Sequence, residues 1–302
     1  KRKEERNMKK RLLGTILAFC MLVSMLPTTA SATEYRDKGS DPIPLAAIEC
    51  PLSDDGTLTI SGSGTLQASN FSGIDTSAVT SVVIEEGVTR ISNYTFQNFT
   101  RMQSITIPGT VTFIGSYAFQ NCTGLTTLTI PDSVTTLQIG FVDGCTSLTT
   151  INVGAGTDAF NLFYQNLYLL PMLSSIHVSE QNPLYSSIDG VLFSKDLSTL
   201  LLYPKAKADL TYTMPATVTV ILEKAFYGNT FLTSLILSEG LKEIGANAFY
   251  GNTALSSVVF FKGLKTIGDN AFFGNTSLTS VILPEGLETI GDSAFNGSTS
   301  LT

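Results

Sequence analysis

Apolar residues recur along most of this chain at fixed offsets within units of 23 residues. The segments Leu232–Ala254, Leu255–Ser277 and Leu278–Ser300 align without a gap, and the same register begins at Val79, Met102, Leu125, Leu148 and Asp209. Positions 1, 4, 6, 10, 13 and 18 of a unit are apolar: Leu278, Val281, Leu283, Leu287, Ile290 and Phe295 in the last copy. The alternation around positions 4 to 6 predicts a short strand whose position 5 faces away from the core. Proline at position 7 (Pro108, Pro131, Pro215, Pro284) ends the strand pairing. A glycine at position 14, such as Gly291, then permits a turn. The Ala-Phe pair at positions 17 and 18, as in Ala248-Phe249, predicts a short helical or 3₁₀ return that carries the phenylalanine into the core. Each fully buried large apolar side chain contributes ~1.5–3 kcal/mol, yet a single unit cannot enclose its own core, so the copies must stack.

A period in the twenties with an L-x-x-L-x-L start is the pattern of a leucine-rich repeat. The predicted fold is an α/β repeat solenoid: a right-handed stack of ~23-residue coils with short parallel strands on the concave face and short helical or 3₁₀ returns. The pattern lapses between Leu148 and Asp209. Leu148 opens an aromatic-rich unit with Phe160, Phe163, Tyr164 and Tyr168, and a strand at Leu173–Val178 follows. Apolar strands around Val191–Phe193 and Leu200–Tyr203 then flank a Lys195-Asp196 turn, which predicts a β-hairpin insertion on the fifth of nine coils.

Three regions result. Residues 1–32 read as a signal peptide with translation starting at Met8: Lys9, Lys10 and Arg11 precede a mostly apolar Leu12–Leu26, and Ala30-Ser31-Ala32 supplies the cleavage site. Residues 33–78 read as a β-rich N-terminal cap, because Leu58 and Ile60 alternate with polar residues after the Asp54-Asp55-Gly56 turn and a solenoid needs its first layer covered. Residues 79–302 are the repeats, irregular at about 148–208. The chain stops at Leu301-Thr302, two residues into a tenth repeat, which reads as a fragment of a longer reading frame.

Export changes the charge. Residues 1–32 hold 7 of the 18 basic and 2 of the 25 acidic residues, so the remainder has 11 against 23, a net charge of −12. Phosphate contacts require clustered Lys and Arg; nucleic acid is excluded as a partner on that ground, and no membrane span is expected once the signal segment is removed.

Chemistry is sparse. The one histidine, His177, would have to serve any Ser-His-Asp relay or histidine metal site alone, and its register makes it an outward strand residue. Asp158, Glu180 and Asp189 have no spacing that singles them out for paired-carboxylate chemistry. No metal site, cofactor or catalytic residue is expected within residues 1–302. Cys122 and Cys145 occupy position 21 of neighbouring units, where strand spacing lets them either form a disulfide or stay reduced as small core residues.

Binding has more material. Position 5 runs through Thr106, Thr129, Asn152, His177, Thr213, Ile236, Val259 and Ile282, polar in the middle and aliphatic toward the C-terminus. Phe261 at position 7 is expected to widen the aliphatic strip, of the kind that marks interaction sites. Tyr227, Tyr250 and Phe273, one per coil at position 19, either anchor a ligand or cover the neighbouring coil. The absence of tryptophan favours protein over carbohydrate ligands.

The consensus L-x-x-[IV]-x-[IL]-P-x-x-[VL]-x-x-I-G-x-x-A-F-x-x-[CN], carried best by Met102–Gly124 and the three copies after Leu232, resembles the BspA-like leucine-rich repeat family of bacterial surface proteins. The insertion from Ser187 to Phe193 with Leu202-Tyr203-Pro204, and the lead-in from Asp55 to Gly64, are similar to features of that family. Phe141-Val142 departs from the Ala-Phe pair, and Leu148–Met172 lacks most of the later consensus. The resemblance implies a secreted or cell-surface bacterial protein that binds extracellular proteins, or glycans, in adhesion. Two other roles stay open: a targeting arm for a hydrolase domain beyond residue 302, and a structural spacer of the envelope.

Overall fold

The computed structural model describes residues 47–157 and 166–302. The expected signal peptide, the first part of the cap, and Asp158, Phe160, Phe163 and Tyr164 lie outside them. The described chain is a β-solenoid in which most coils contribute two short strands, arranged along two parallel ladders that are each broken into separate sheets. The first ladder holds positions 3 to 6. It runs through Thr57–Ile60, Ser81–Ile84 and Ser104–Thr106, then Thr127–Ile130, Thr150–Val153 and Ser175–Val178, and later Thr211–Thr213, Ser234–Ile236 and Ser257–Val259. The second, around position 13, joins Gly64–Leu66, Val88–Ile91, Phe113–Ile114 and Thr136–Leu137, and resumes with Thr199–Leu202, Val220–Ile221, Glu243–Ile244, Thr266–Ile267 and Thr289–Ile290.

Parallel pairing with each residue opposite its repeat equivalent (Ile176 beside Ile151 beside Leu128) keeps like side chains in columns. The lead-in behaves as a first coil: Thr57–Ile60 pairs in parallel with Ser81–Ile84, while antiparallel bridges Glu49–Ser61 and Leu52–Leu58 fold the preceding segment over it. Leu58, Ile60 and Leu66 are fully buried.

The returns are chains of turns, not the expected helical or 3₁₀ segments. Among the described residues the 3₁₀ turns are Ala68–Phe71, Thr76–Ala78 and Leu167–Leu169, away from the Ala-Phe pairs. The cause is a left-handed residue at positions 16 and 20 of each regular coil: Tyr94 and Asn98 (φ 58° and 66°), Gly140 and Gly144, Asn247 and Gly251, Asn270 and Gly274. A helix needs an unbroken right-handed run. Interrupting it twice turns backbone N–H groups toward the next coil, so Phe226, Phe249 and Phe272 each donate to the residue before the next phenylalanine, at 2.7 Å. The position-14 glycines also differ from expectation. Gly115, Gly245, Gly268 and Gly291 do not have positive φ; a Cβ there would lie 2.4–2.6 Å from a backbone nitrogen of the preceding coil. They are close-approach glycines.

The phenylalanines form ladders in the core, stacked at 4.7 Å (Phe226–Phe249), 4.8 Å (Phe249–Phe272) and 5.2 Å (Phe272–Phe295). The core itself is double. One cluster runs from Leu58 to Ile176 and takes in Leu192 and Leu202; the other begins with Val191, Phe193 and Leu200 and runs on to Ala294. The insertion is thus a partition. Tyr185–Ile188, Val191–Ser194 and Thr199–Leu202 pair antiparallel; in the middle strand Val191 and Phe193 enter the C-terminal core and Leu192 the N-terminal one, and in the third Leu200 serves the C-terminal core and Leu202 the N-terminal one. Burial on both faces explains the unbroken apolar run Val191-Leu192-Phe193. Thr199–Leu202 then pairs in parallel with Val220–Ile221 and restarts the second ladder.

Candidate functional site

The position-5 side chains do not form one column. The hairpin divides the first ladder, because Ile176 N–H donates to Gly190 O (3.0 Å) and Val178 N–H to Ser187 Oγ (2.9 Å), occupying the edge that the next coil would use. Asp189 at this turn lies near enough to the following coil that its charge, with that of Asp209, adds to burial in pushing the Tyr212 hydroxyl pKa up. Two separate surfaces result.

The first carries Thr106, Thr129, Asn152 and His177. Register places Thr129 opposite Asn152 and Asn152 opposite His177. Asn152 Nδ2 donates to Thr129 Oγ1 at 2.9 Å, and His177 Nε2 lies 2.8 Å from Ser175 Oγ. These three residues share an open depression of about 430 Å³ at the C-terminal ends of their strands, completed by Asp132, Gly154 and Ser179 among others. Asp132 Oδ1 accepts from Ala155 N–H at 2.7 Å, which fixes the rim. Gly154 is a close-approach glycine, since a Cβ would sit 2.4 Å from the Pro131 carbonyl. Chemically this is a shallow surface of hydroxyl, amide and imidazole groups. Asp132 and Ser179 follow their strands and carry no periodic signal, so the column reading missed them.

The second surface carries Thr213, Ile236, Val259 and Ile282. Ile236 and Val259 are 51 and 58% exposed and, with Ile282 on the last coil, form an aliphatic strip along consecutive coils. Phe261 does not widen it: its ring is half-buried and packs against the C-terminal core.

The position-19 rings stack on one another, Tyr227 on Tyr250 at 5.0 Å and 7°, and Tyr250 on Phe273 at 4.9 Å and 5°. Tyr168 meets Tyr227 edge-on at 5.3 Å, with Lys224 Nζ 5.0 Å over the Tyr168 ring. Each of the three rings is half-buried along this column. Cys122 and Cys145 are free thiols, not a disulfide. Each donates to a backbone carbonyl one coil back, Cys122 to Phe96 O and Cys145 to Phe119 O, both at 3.1 Å. Asn275 and Ser298 bond in the same way to Phe249 O and Phe272 O. Position 21 is therefore a column of small donors, and the neighbouring thiol together with burial raises the Cys122 pKa. Among the described residues no group of three or more His, Cys, Asp or Glu side chains is placed to hold a metal ion, and no helix is long and apolar enough to cross a membrane.

Comparison with solved structures places the same architecture in a pneumococcal vaccine antigen, PcpA (20% identity, 85% of this chain and 79% of that one, TM-score 0.53). A leucine-rich cell surface protein of Faecalibacterium prausnitzii A2-165 is similar over 89% of this chain and 88% of that one, at 25% identity and TM-score 0.51. No curated protein matches the chain. The BspA-type leucine-rich repeat region matches in six copies over residues 65–187 and 208–302. Those residues are more than half of the sequence, and they contain most strands of both ladders and the phenylalanine stack: the chain belongs to the BspA-type leucine-rich repeat family.

Proposed function

We propose that this chain is an exported bacterial surface protein that binds an extracellular protein through the polar face of its first ladder, in adhesion to host or bacterial surfaces. The observation that carries the reading is the convergence of Thr129, Asn152 and His177 on one open depression. Membership in a repeat family of bacterial surface proteins and likeness to a protein described as cell-surface support export. A shallow polar surface suits a macromolecular partner, whereas small ligands are held in deeper, mostly apolar clefts.

The test is biolayer interferometry of the full chain against immobilised extracellular-matrix proteins and whole bacterial cells. Asn152→Arg fills the depression and is expected to weaken binding by about tenfold or more, since hot-spot losses exceed ~1.4 kcal/mol. Ile236→Arg, on the other surface, is expected to leave binding intact. The reverse pattern would move the site to the aliphatic strip, where Ile236 and Val259, each more than half exposed with a coil on either side, support a second reading. Failure of the wild-type chain to bind any partner would favour the spacer role.

A further inference from the structure

The returns of the first two regular coils display a patch that neither ladder explains. Tyr94 and Tyr117 occupy position 16 with φ of 58° and 56°. Other coils place Gly140, Lys224, Asn247, Asn270 or Ser293 at that left-handed position. Glycine and asparagine enter this region readily, whereas a bulky ring does so only against strain. Strained bulky residues held in place by surrounding structure concentrate where a surface is used. These two rings are not needed to fill the core. Tyr94 is 45% exposed, and the buried phenylalanines of the same coils already stack at 5.5 Å.

The rings form a short platform. Tyr94 and Tyr117 are stacked at 5.3 Å and 12°. Tyr117 rests on the next coil at Gly140, where a Cβ would lie 2.4 Å from its ring. The second face of Tyr94 meets no other ring among the described residues. Three and four residues further along the same turns run two amide columns. Gln97 Nε2 donates to Gln120 Oε1 at 2.5 Å, and Asn121 Nδ2 donates to Asn98 Oδ1 at 3.0 Å. This leaves Gln97 Oε1, an acceptor, and Asn98 Nδ2, a donor, without a partner among the described residues on the Tyr94 side of the stack. Both residues are exposed.

We infer that this patch is a binding site for a neutral carbohydrate chain, separate from the first-ladder face. A pyranose ring lays its C–H face on an aromatic ring, and its adjacent hydroxyls pair with one donor and one acceptor amide group. Tyr94, Tyr117, Gln97, Gln120, Asn98 and Asn121 carry no charge, so the site offers no ion pair to an anionic polymer.

The test is native affinity electrophoresis of the full chain in gels holding mixed-linkage β-glucan, galactomannan or soluble α-glucan. The wild-type chain is expected to be retarded by at least one of them. Tyr94→Asn with Tyr117→Asn is expected to weaken that interaction by about tenfold or more, while the unfolding midpoint stays equal or rises because the strain is relieved. Asn152→Arg is expected to leave the retardation unchanged. Absence of wild-type retardation by all three polysaccharides overturns the proposal, as does retardation that survives the double substitution. A fall in the unfolding midpoint of the double variant would assign the tyrosines to packing and overturn it as well.

Discussion

Gly251 and Gly268 look interchangeable in the sequence, yet the stack constrains them differently. Gly251 has φ of 69°, and a Cβ there would meet nothing closer than 4.0 Å. Gly268 lacks the left-handed conformation, but its Cβ would lie 2.6 Å from the Ala246 nitrogen. The first needs a residue that tolerates positive φ; the second needs the absence of a side chain. Gly251→Asn is therefore expected to change stability by no more than ~0.5 kcal/mol, as at other undemanding surface sites. Gly268→Ala is expected to cost ~1–3 kcal/mol or more, since overpacking here displaces backbone. Urea unfolding of both variants measures the contrast. Period and composition revealed that glycines punctuate each unit; which constraint each glycine answers was hidden, because both depend on how near the neighbouring coil comes.

The partition hairpin shows the same division among elements. Its strands were legible from Val191–Phe193 and Leu200–Tyr203, and its turn from Lys195-Asp196. Its two-sided role was not, because a run of three apolar residues does not say which core each one enters. Leu192 belongs to the N-terminal cluster, and Phe193 to the C-terminal one. Leu192→Ala should cost ~2–5 kcal/mol and Phe193→Ala ~3–5 kcal/mol. Because coils interact chiefly with their neighbours, the damage should stay local. Hydrogen exchange is expected to accelerate in coils before residue 157 for Leu192→Ala and after residue 209 for Phe193→Ala. Uniform acceleration in both variants would mean that the two cores unfold as one unit. The returns were misread at this scale: an Ala-Phe pair is compatible with a helix, and only the left-handed residues two before and two after the phenylalanine exclude it.

Over the whole molecule, the stack turns a linear pattern into faces. The position-5 series reads as one stripe in the sequence and becomes two surfaces of opposite character, a polar depression and an aliphatic strip. The depression combines periodic residues with Asp132 and Ser179, which no period marks. The acidic balance of residues 33–302, 23 acidic against 11 basic, sets no ligand by itself. His177 lies on the open face beside Ser175, and the residues sharing its depression include Asp132. We expect the full chain to hydrolyse no peptide or glycan substrate. Chromogenic peptide and glycoside assays check this, and turnover abolished by His177→Ala would overturn it.

The sequence alone determined the period, the six apolar columns, the phenylalanine core, the hairpin and the family, because each rests on side-chain type repeated at a fixed interval. Tertiary structure decided what depends on the distance between coils. It assigned the glycines their two reasons, left the cysteines as separate thiols bonded to different carbonyls, buried one face of Phe261, and cut the outward column in two. A one-dimensional pattern records what each coil contributes to the core; which outward groups meet is set by register, by the partition that interrupts it, and by the close approach of neighbouring backbones.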